Sequence, residues 1–257
     1  MMTKFYRGAL LLIVFSMAAC SSGPPLTMED YEEPVFTAKT VLPENYEARA
    51  AANVYDPWEG MNKPIYNFNY HFDRYVFLPT VRGYEFITPA FAQAGVSNFF
   101  DNLKDVNSFF NSVLQLSPKK SAQSLGRVAV NSTIGLLGLI DVATYFGIDR
   151  PQEDFGQTLG RYGVGNGPYL VLPLLGPSNL RDGVGLIPDY LVSSYVQEKV
   201  VVDIMDVNKD YLLAFSLLDA IQTRSRVSFR YYETGSAFEY DMVRWLYTTK
   251  RELDIGK

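Results

Sequence analysis

The residues able to do chemistry in this chain are few. Its one histidine, His71, would have to serve as a base for a nucleophile or as a metal ligand, and such sites usually draw on several groups. No serine sits in a G-x-S-x-G strand–turn–helix elbow, so His71 reads as a satisfied or partly exposed histidine of an aromatic helix. Gly163-Val164-Gly165-Asn166-Gly167 has the look of a phosphate-cradling loop, which needs the amides of a following helix to meet the anion. Pro168 and the extended Tyr169-Leu170-Val171-Leu172 follow instead, and a P-loop lysine is missing. Glu153-Asp154 pairs two carboxylates, and adjacent acids in a polar connector read as a solvated turn. Cys20 is the only cysteine, which leaves nothing to form a disulfide or a cysteine metal site. These residues demand neither an enzyme, nor a metal, nor a cofactor.

The elements around them are apolar and aromatic. The chain has 257 residues, 47% of them hydrophobic and 20% charged, which is enough for one substantial domain. Its 18 tyrosines and 17 phenylalanines could fill a core or cover a boundary with lipid, where amphipathic rings are favoured. The net charge of -5 argues against a nucleic-acid partner, because phosphate binding needs a basic field and nothing in the sequence supplies one.

Residues 1–19 read as a secretory signal, with Lys4 and Arg7 ahead of an apolar run and small residues before Cys20. Met17-Ala18-Ala19-Cys20 is similar to a bacterial lipoprotein cleavage box, so Cys20 is the expected lipid anchor. Ser21 after it, rather than Asp, is similar to the pattern of outer-membrane sorting. Residues 20–54 carry scattered prolines and acids without periodicity and read as a flexible tether, spanning about 30 Å as a random chain. Residues 55–257 are then the folded domain.

That domain is organised around Asp154–Asp182. Six glycines and three prolines punctuate it, and nineteen residues without formal charge lie between Arg161 and Arg181. Glycine and proline break any helix there, so the stretch reads as an apolar turn-and-strand connector whose backbone groups need other partners. Short helices surround it. Asp56-Pro57-Trp58-Glu59 has a capping signature; Pro64 predicts a kink or a second start, Pro79 a stop, and Ile65, Phe68, Phe72, Tyr75 and Val76 one apolar face. Thr88-Pro89 opens a second helix, and Val106, Phe109, Phe110, Val113 and Leu114 stripe a third. Ser117-Pro118 opens a fourth with Ala122, Leu125, Ala129 and Ile134 inward. Ser178 is the expected cap of a helix that Pro188 breaks. Asp206 to about Arg230 reads as a long helix, and Phe238, Met242, Trp245 and Leu246 mark a last one.

Val128–Ile140 is a second charge-free run, too short to span a bilayer. Gly135 and Gly138 permit a hairpin, and Asp141 can cap the helix that follows. Both a mobile hinge and a buried core turn fit it. The apolar helical stripes are equally open, since they could meet one another or acyl chains.

With these motifs in view, the chain resembles the MlaA (VacJ) family of outer-membrane lipoproteins from Asp56 to about Asp189. DPWEGMNKPIYNFNYHFD at Asp56–Asp73, VSNFFDNL at Val96–Leu103 and DFGQTLGRYGVGNGPYLVLPLLGPSNLRD at Asp154–Asp182 carry the resemblance. It implies a mainly α fold: a ring-like array of short amphipathic helices around a central channel, monotopic in the periplasmic leaflet of the outer membrane, with glycine-rich connectors and a trimeric porin beside it. Phospholipids misplaced in the outer leaflet would pass through the channel to the periplasmic carrier MlaC, with no covalent step. A structural lipoprotein that scaffolds a porin without moving lipid is the alternative. The resemblance places a hairpin gate at Gly135, Leu136, Leu137, Gly138, Leu139, Ile140 and Asp141. It places Asn67, Phe68 and Asn69 on a helix near the channel. Leu137 stands where the family commonly has glycine and Leu139 where it often has phenylalanine, which implies a stiffer hairpin. Leu116 replaces a usual glycine and puts the geometry of that turn in question.

Overall fold

The computed structural model describes residues 54–233 and 235–256, so the signal segment, Cys20 and the tether up to residue 53 lie outside the described residues. Helix α1 (Glu59–Phe72) has Trp58 at its N-cap and no side-chain cap bond. Asp56 faces another task, accepting from Asn62 Nδ2 at 2.8 Å and Arg244 at 3.1 Å. The helix runs through Pro64, which removes one backbone bond without ending it. Pro79 is not a stop either. A π-helical turn at Asp73–Phe77 shifts the register, so that Pro79 falls in the first turn of α2 (Leu78–Ile87), where a missing N–H costs nothing.

Helix α3 (Ala90–Leu114) is one 25-residue element where the sequence suggests two. Leu116 then adopts φ 55°, so the turn keeps the left-handed backbone a glycine would favour. Ser117-Pro118 opens α4 (Pro118–Thr133) as expected, and the short α5 (Val142–Tyr145) and α6 (Phe155–Arg161) follow. Strands β1 (Tyr169–Leu172) and β2 (Gly176–Asn179) pair antiparallel, with Val171 opposite Pro177. Asn179, not Ser178, caps α7 (Leu180–Glu198), which continues past Pro188 into a second π-helical turn at Lys199–Ile204. Helix α8 (Leu212–Ser225) is shorter than the expected 206–230, and α9 (Glu239–Gly256) ends the described chain.

Burial reverses the usual arrangement. In α1 the buried residues are Asn62, Tyr66, Asn69 and Tyr70, while Phe68, Tyr75 and Val76 of the expected inner stripe are exposed. In α3 the buried face is apolar only at Phe99, Phe100 and Leu103; Asn102, Asp105, Ser108, Asn111 and Ser112 are buried beside and after them, and Phe110, Val113 and Leu114 point outward. In α4 Ala122, Leu125, Ala129 and Ile134 are all exposed, and Ser124, Arg127 and Asn131 are buried. The helical period identifies a face but not the medium it meets, and here many apolar faces lie outside. Among the described residues, no helix is long and apolar enough to cross a membrane.

Two small apolar clusters join the elements. Tyr66, Tyr169, Val171, Tyr240 and Val243 tie α1, β1 and α9 together, and Phe99, Phe100 and Leu103 of α3 receive Phe215 and Leu218 of α8. Packing contacts run from α1 and its continuation α2 to α8, from α8 to α3, from α3 to α7, from α7 to the β-hairpin, and from β1 back to α1. This circuit closes the mainly α chain into a ring-like array.

Candidate functional site

The second charge-free run is a tight hairpin at the end of α4. Leu136, Leu137 and Gly138 follow one another at φ 54°, 58° and 92°, all left-handed. Gly138 N–H donates to Asn131 O at 2.8 Å and Ile140 N–H to Gly135 O at 2.9 Å. A Cβ on Gly135 would lie 2.2 Å from Ile140 O, and one on Gly138 would lie 2.6 Å from Asn102 Cβ, so both positions require glycine. Leu136, Leu137, Leu139 and Ile140 are exposed. The hairpin rests on the N-terminal half of α3, where Asn98 Nδ2 donates to Leu139 O at 3.1 Å.

Polar side chains hold the base of this hairpin. Asp141 caps α5, accepting from Thr144 N–H at 3.2 Å and from the Thr144 hydroxyl at 2.6 Å. Arg127 donates to both Asp141 oxygens at 2.9 and 2.8 Å, and Asn131 Nδ2 adds a bond at 3.0 Å. Burial would raise the Asp141 carboxyl, but the bonds from Thr144, Arg127 and Asn131 outweigh it and hold the group down at about 2. The same Arg127 reaches Asp105 at 3.1 Å, and Arg150 reaches Asp105 at 2.7 Å. Burial pushes Asp105 up while both arginines pull it down.

The segment Asp154–Asp182 is clamped from two sides. On α1, Asn62 and Asn69 stand seven residues apart, two helical turns, and face the open edge of β1. Asn62 takes Val171 N–H at 2.9 Å and donates to Tyr169 O at 3.1 Å; Asn69 takes Leu174 N–H at 2.7 Å and donates to Leu172 O at 3.0 Å. These amides supply the backbone partners that a lone two-stranded hairpin lacks. On α9, Arg251 Nε donates to Asp182 at 2.7 Å, and its two terminal nitrogens reach Asp154 at 2.7 and 2.8 Å. Tyr247 adds a bond to Asp182 at 2.8 Å. A recess of about 230 Å³ opens beside this clamp, lined by Leu172, Leu175 and Leu186 together with Asp154, Asp189 and Arg251.

The expected site residues therefore separate into two places. Gly135–Asp141 packs on α3 and α4, whereas Asn69 serves the β-hairpin, with Asn67 and Phe68 exposed beside it on α1. His71 is half-buried, its ring 4.9 Å from Tyr70 and stacked at 6.0 Å on Tyr75. Glu153 and Asp154 are not a solvated turn. Glu153 is buried and receives Lys120 at 2.7 Å and Gln115 at 3.0 Å, while Asp154 caps α6 through Gln157 N–H and pairs with Arg251. Arg224 and Arg226, at the C-terminal end of α8, bind Asp73 and Asp101 across the fold. Sequence reasoning missed Arg127, Arg150 and Arg251; Arg127 stands on α4, Arg150 in a loop and Arg251 on the charged α9, and a charge in sequence does not say which partner it meets. Among the described residues no His, Cys, Asp and Glu cluster is placed to hold a metal ion.

The family model described as MlaA lipoprotein matches residues 54–254. An uncharacterized protein of Rickettsia prowazekii is 35% identical over 185 residues, covering 72% of this chain and 70% of its own. The intermembrane phospholipid transport system lipoprotein MlaA of Escherichia coli is 38% identical over 141 residues, covering 52% of this chain and 55% of its own. A solved chain from work on the structural basis for maintenance of bacterial outer membrane lipid asymmetry superposes with a TM-score of 0.60 at 29% identity, covering 78% of this chain and 98% of that one. The match to the family model takes in α9 and its Arg251 clamp as well as the hairpin and the Asp154–Asp182 segment, and the chain belongs to the MlaA lipoprotein family.

Proposed function

We propose that this protein keeps the outer membrane asymmetric by taking phospholipids misplaced in the outer leaflet through an amphipathic channel within its ring and passing them to the periplasmic carrier MlaC. In this reading it sits in the periplasmic leaflet of the outer membrane, anchored through a lipidated Cys20 and seated beside a trimeric porin. The observation that carries the reading is the exposure of apolar side chains along α1, α3 and α4, such as Phe68, Phe110, Val113 and Leu125, which suits acyl chains. The relatives' association with intermembrane phospholipid transport and outer-membrane lipid asymmetry supports it. A hairpin of exposed leucines on a polar base suits a gate between the two media. Lipid movement is passive or driven by partners, since the sequence carries no nucleotide-binding motif.

The test is Gly138→Pro, because proline fixes φ near -65° and cannot adopt the 92° of this position. Outer-leaflet phospholipid should rise in cells while the protein level holds. Unchanged asymmetry would remove the hairpin's role. The scaffold reading makes the opposite forecast: protein extracted in mild detergent should carry no phospholipid by mass spectrometry, and hairpin substitutions should be silent.

A further inference from the structure

Alternating charges run through the interior from the hairpin to α8. Asp141 is bound by Arg127, Arg127 by Asp105, Asp105 by Arg150, Arg150 by Asp101 at 2.5 Å, and Asp101 by Arg226 at 2.8 and 2.9 Å. Arg127 is the inner hub. It is 2% exposed, yet its guanidinium reaches α3 through Asp105, the hairpin base through Asp141, α5 through Thr144 at 3.1 Å, and the loop after α5 through Ile148 O at 2.8 Å. The hairpin it steadies is held against its own preference. Two consecutive leucines at φ 54° and 58° occupy a region that L side chains disfavour, so the conformation persists only while the surroundings impose it.

We propose that Arg127 is the positioning residue of the hairpin, and that the Asp105–Arg150–Asp101–Arg226 series behind it ties the setting of the hairpin to α8. This rests on the reading of the hairpin as a gate, and it gives the last third of the chain a part in that gate. Neutralising Arg127 leaves Asp105 and Asp141 facing each other's region without their common cation, so the hinge loses its fixed point. The strained leucines then relax into a broader set of conformations. Losing Arg226, which is 45% exposed, removes only the outer end of the series and should act more weakly.

The test is a nitroxide on Leu137→Cys in the full chain, purified in mild detergent, with the unsubstituted chain labelled in parallel to account for Cys20. A second label at Leu253→Cys on α9 serves as the distant control. With Arg127→Met the mobile fraction of the spectrum at residue 137 should rise severalfold while the spectrum at residue 253 stays the same. Arg226→Ala should give a smaller rise at residue 137. If Arg127→Met does not fold, as judged by lost helicity, Asp141→Asn removes the same charged bond at constant shape and is read in the same way. A folded variant with an unchanged spectrum at residue 137 overturns the proposal, as does equal mobilisation at residues 137 and 253, which marks a general loss of stability. No response to Arg226→Ala overturns the tie to α8. Outer-leaflet phospholipid is scored separately: mobilisation without a change in asymmetry upholds the positioning role and removes the gate, whereas lost asymmetry with a rigid hairpin does the reverse.

Discussion

Arg251→Met tests whether the last helix is a working part of the fold. The guanidinium joins Asp182 of α7 and Asp154 at the start of α6 to α9, and the three side chains are 10%, 7% and 37% exposed. Removing one partner of a buried ion pair costs about 3–5 kcal/mol, because the remaining charge stays buried without compensation. Here the loss is smaller. Asp154 is more than a third exposed and therefore screened, and Asp182 keeps Arg181 at 2.8 Å and the Tyr247 hydroxyl. About 2–3 kcal/mol is the expected loss, which in a domain of this size lowers the melting temperature by about 4–12 °C. Far-ultraviolet circular dichroism in mild detergent measures it. The pH dependence supplies a second check. Burial raises the Asp182 carboxyl, but Arg251, Tyr247 and Arg181 outweigh it and hold the group below its ordinary range. A carboxyl depressed in the folded state stabilises fully above its unfolded value, near 4, and less as pH falls through the folded one. The gap between the parent and Arg251→Met should therefore narrow on acidification below about pH 4. A drop of less than about 1 °C at neutral pH, or an equal drop at all pH values, refutes the clamp.

Three further outcomes follow from the same geometry. Asn62→Ala should destabilise by about 1–3 kcal/mol by stranding Tyr169 O and Val171 N–H, and hydrogen exchange at the Val171 amide should speed up; a protected amide would mean that α1 does not complete the sheet edge. Leu125→Glu, on the exposed face of α4, should leave the melting temperature in detergent within about 1 °C yet weaken retention on phospholipid vesicles, whereas Ser124→Leu, fully buried beside it, should destabilise by about 1–3 kcal/mol; the reverse order in a melting experiment would restore the ordinary inward reading of the stripe. Burial, with the carboxylate of Asp73 nearby, pushes the Tyr231 hydroxyl up to about 12, so its contribution is present below its ordinary value of about 10 and fades as pH rises to 12; phenolate absorbance should therefore develop late and together with unfolding.

Several features were legible in the chain itself. Glycine and proline at known positions dictated that residues 163–177 could not be helix, and an antiparallel hairpin is what forms there. Gly135, Gly138 and Asp141 marked a turn followed by a capped helix because tight turns and free helix amides have few chemical solutions. The Ser117-Pro118 start held because proline suits the first turn of a helix, with no cap bond from the Ser117 side chain. Pro79 and Pro188 misled, since a helix can take a proline in its first turn, as at Pro79, or run on through one, as at Pro188, and nothing local announces which. The tertiary structure alone decided which way the stripes face. Val113 and Leu125 obey the same period whether they meet protein or lipid, so periodicity finds the face and only the assembled ring tells which side is outside. Pairing of distant charges was likewise beyond the sequence: Arg251 meets Asp154 across 97 residues and Arg224 meets Asp73 across 151, and a charge carries no mark of its partner until the chain has folded.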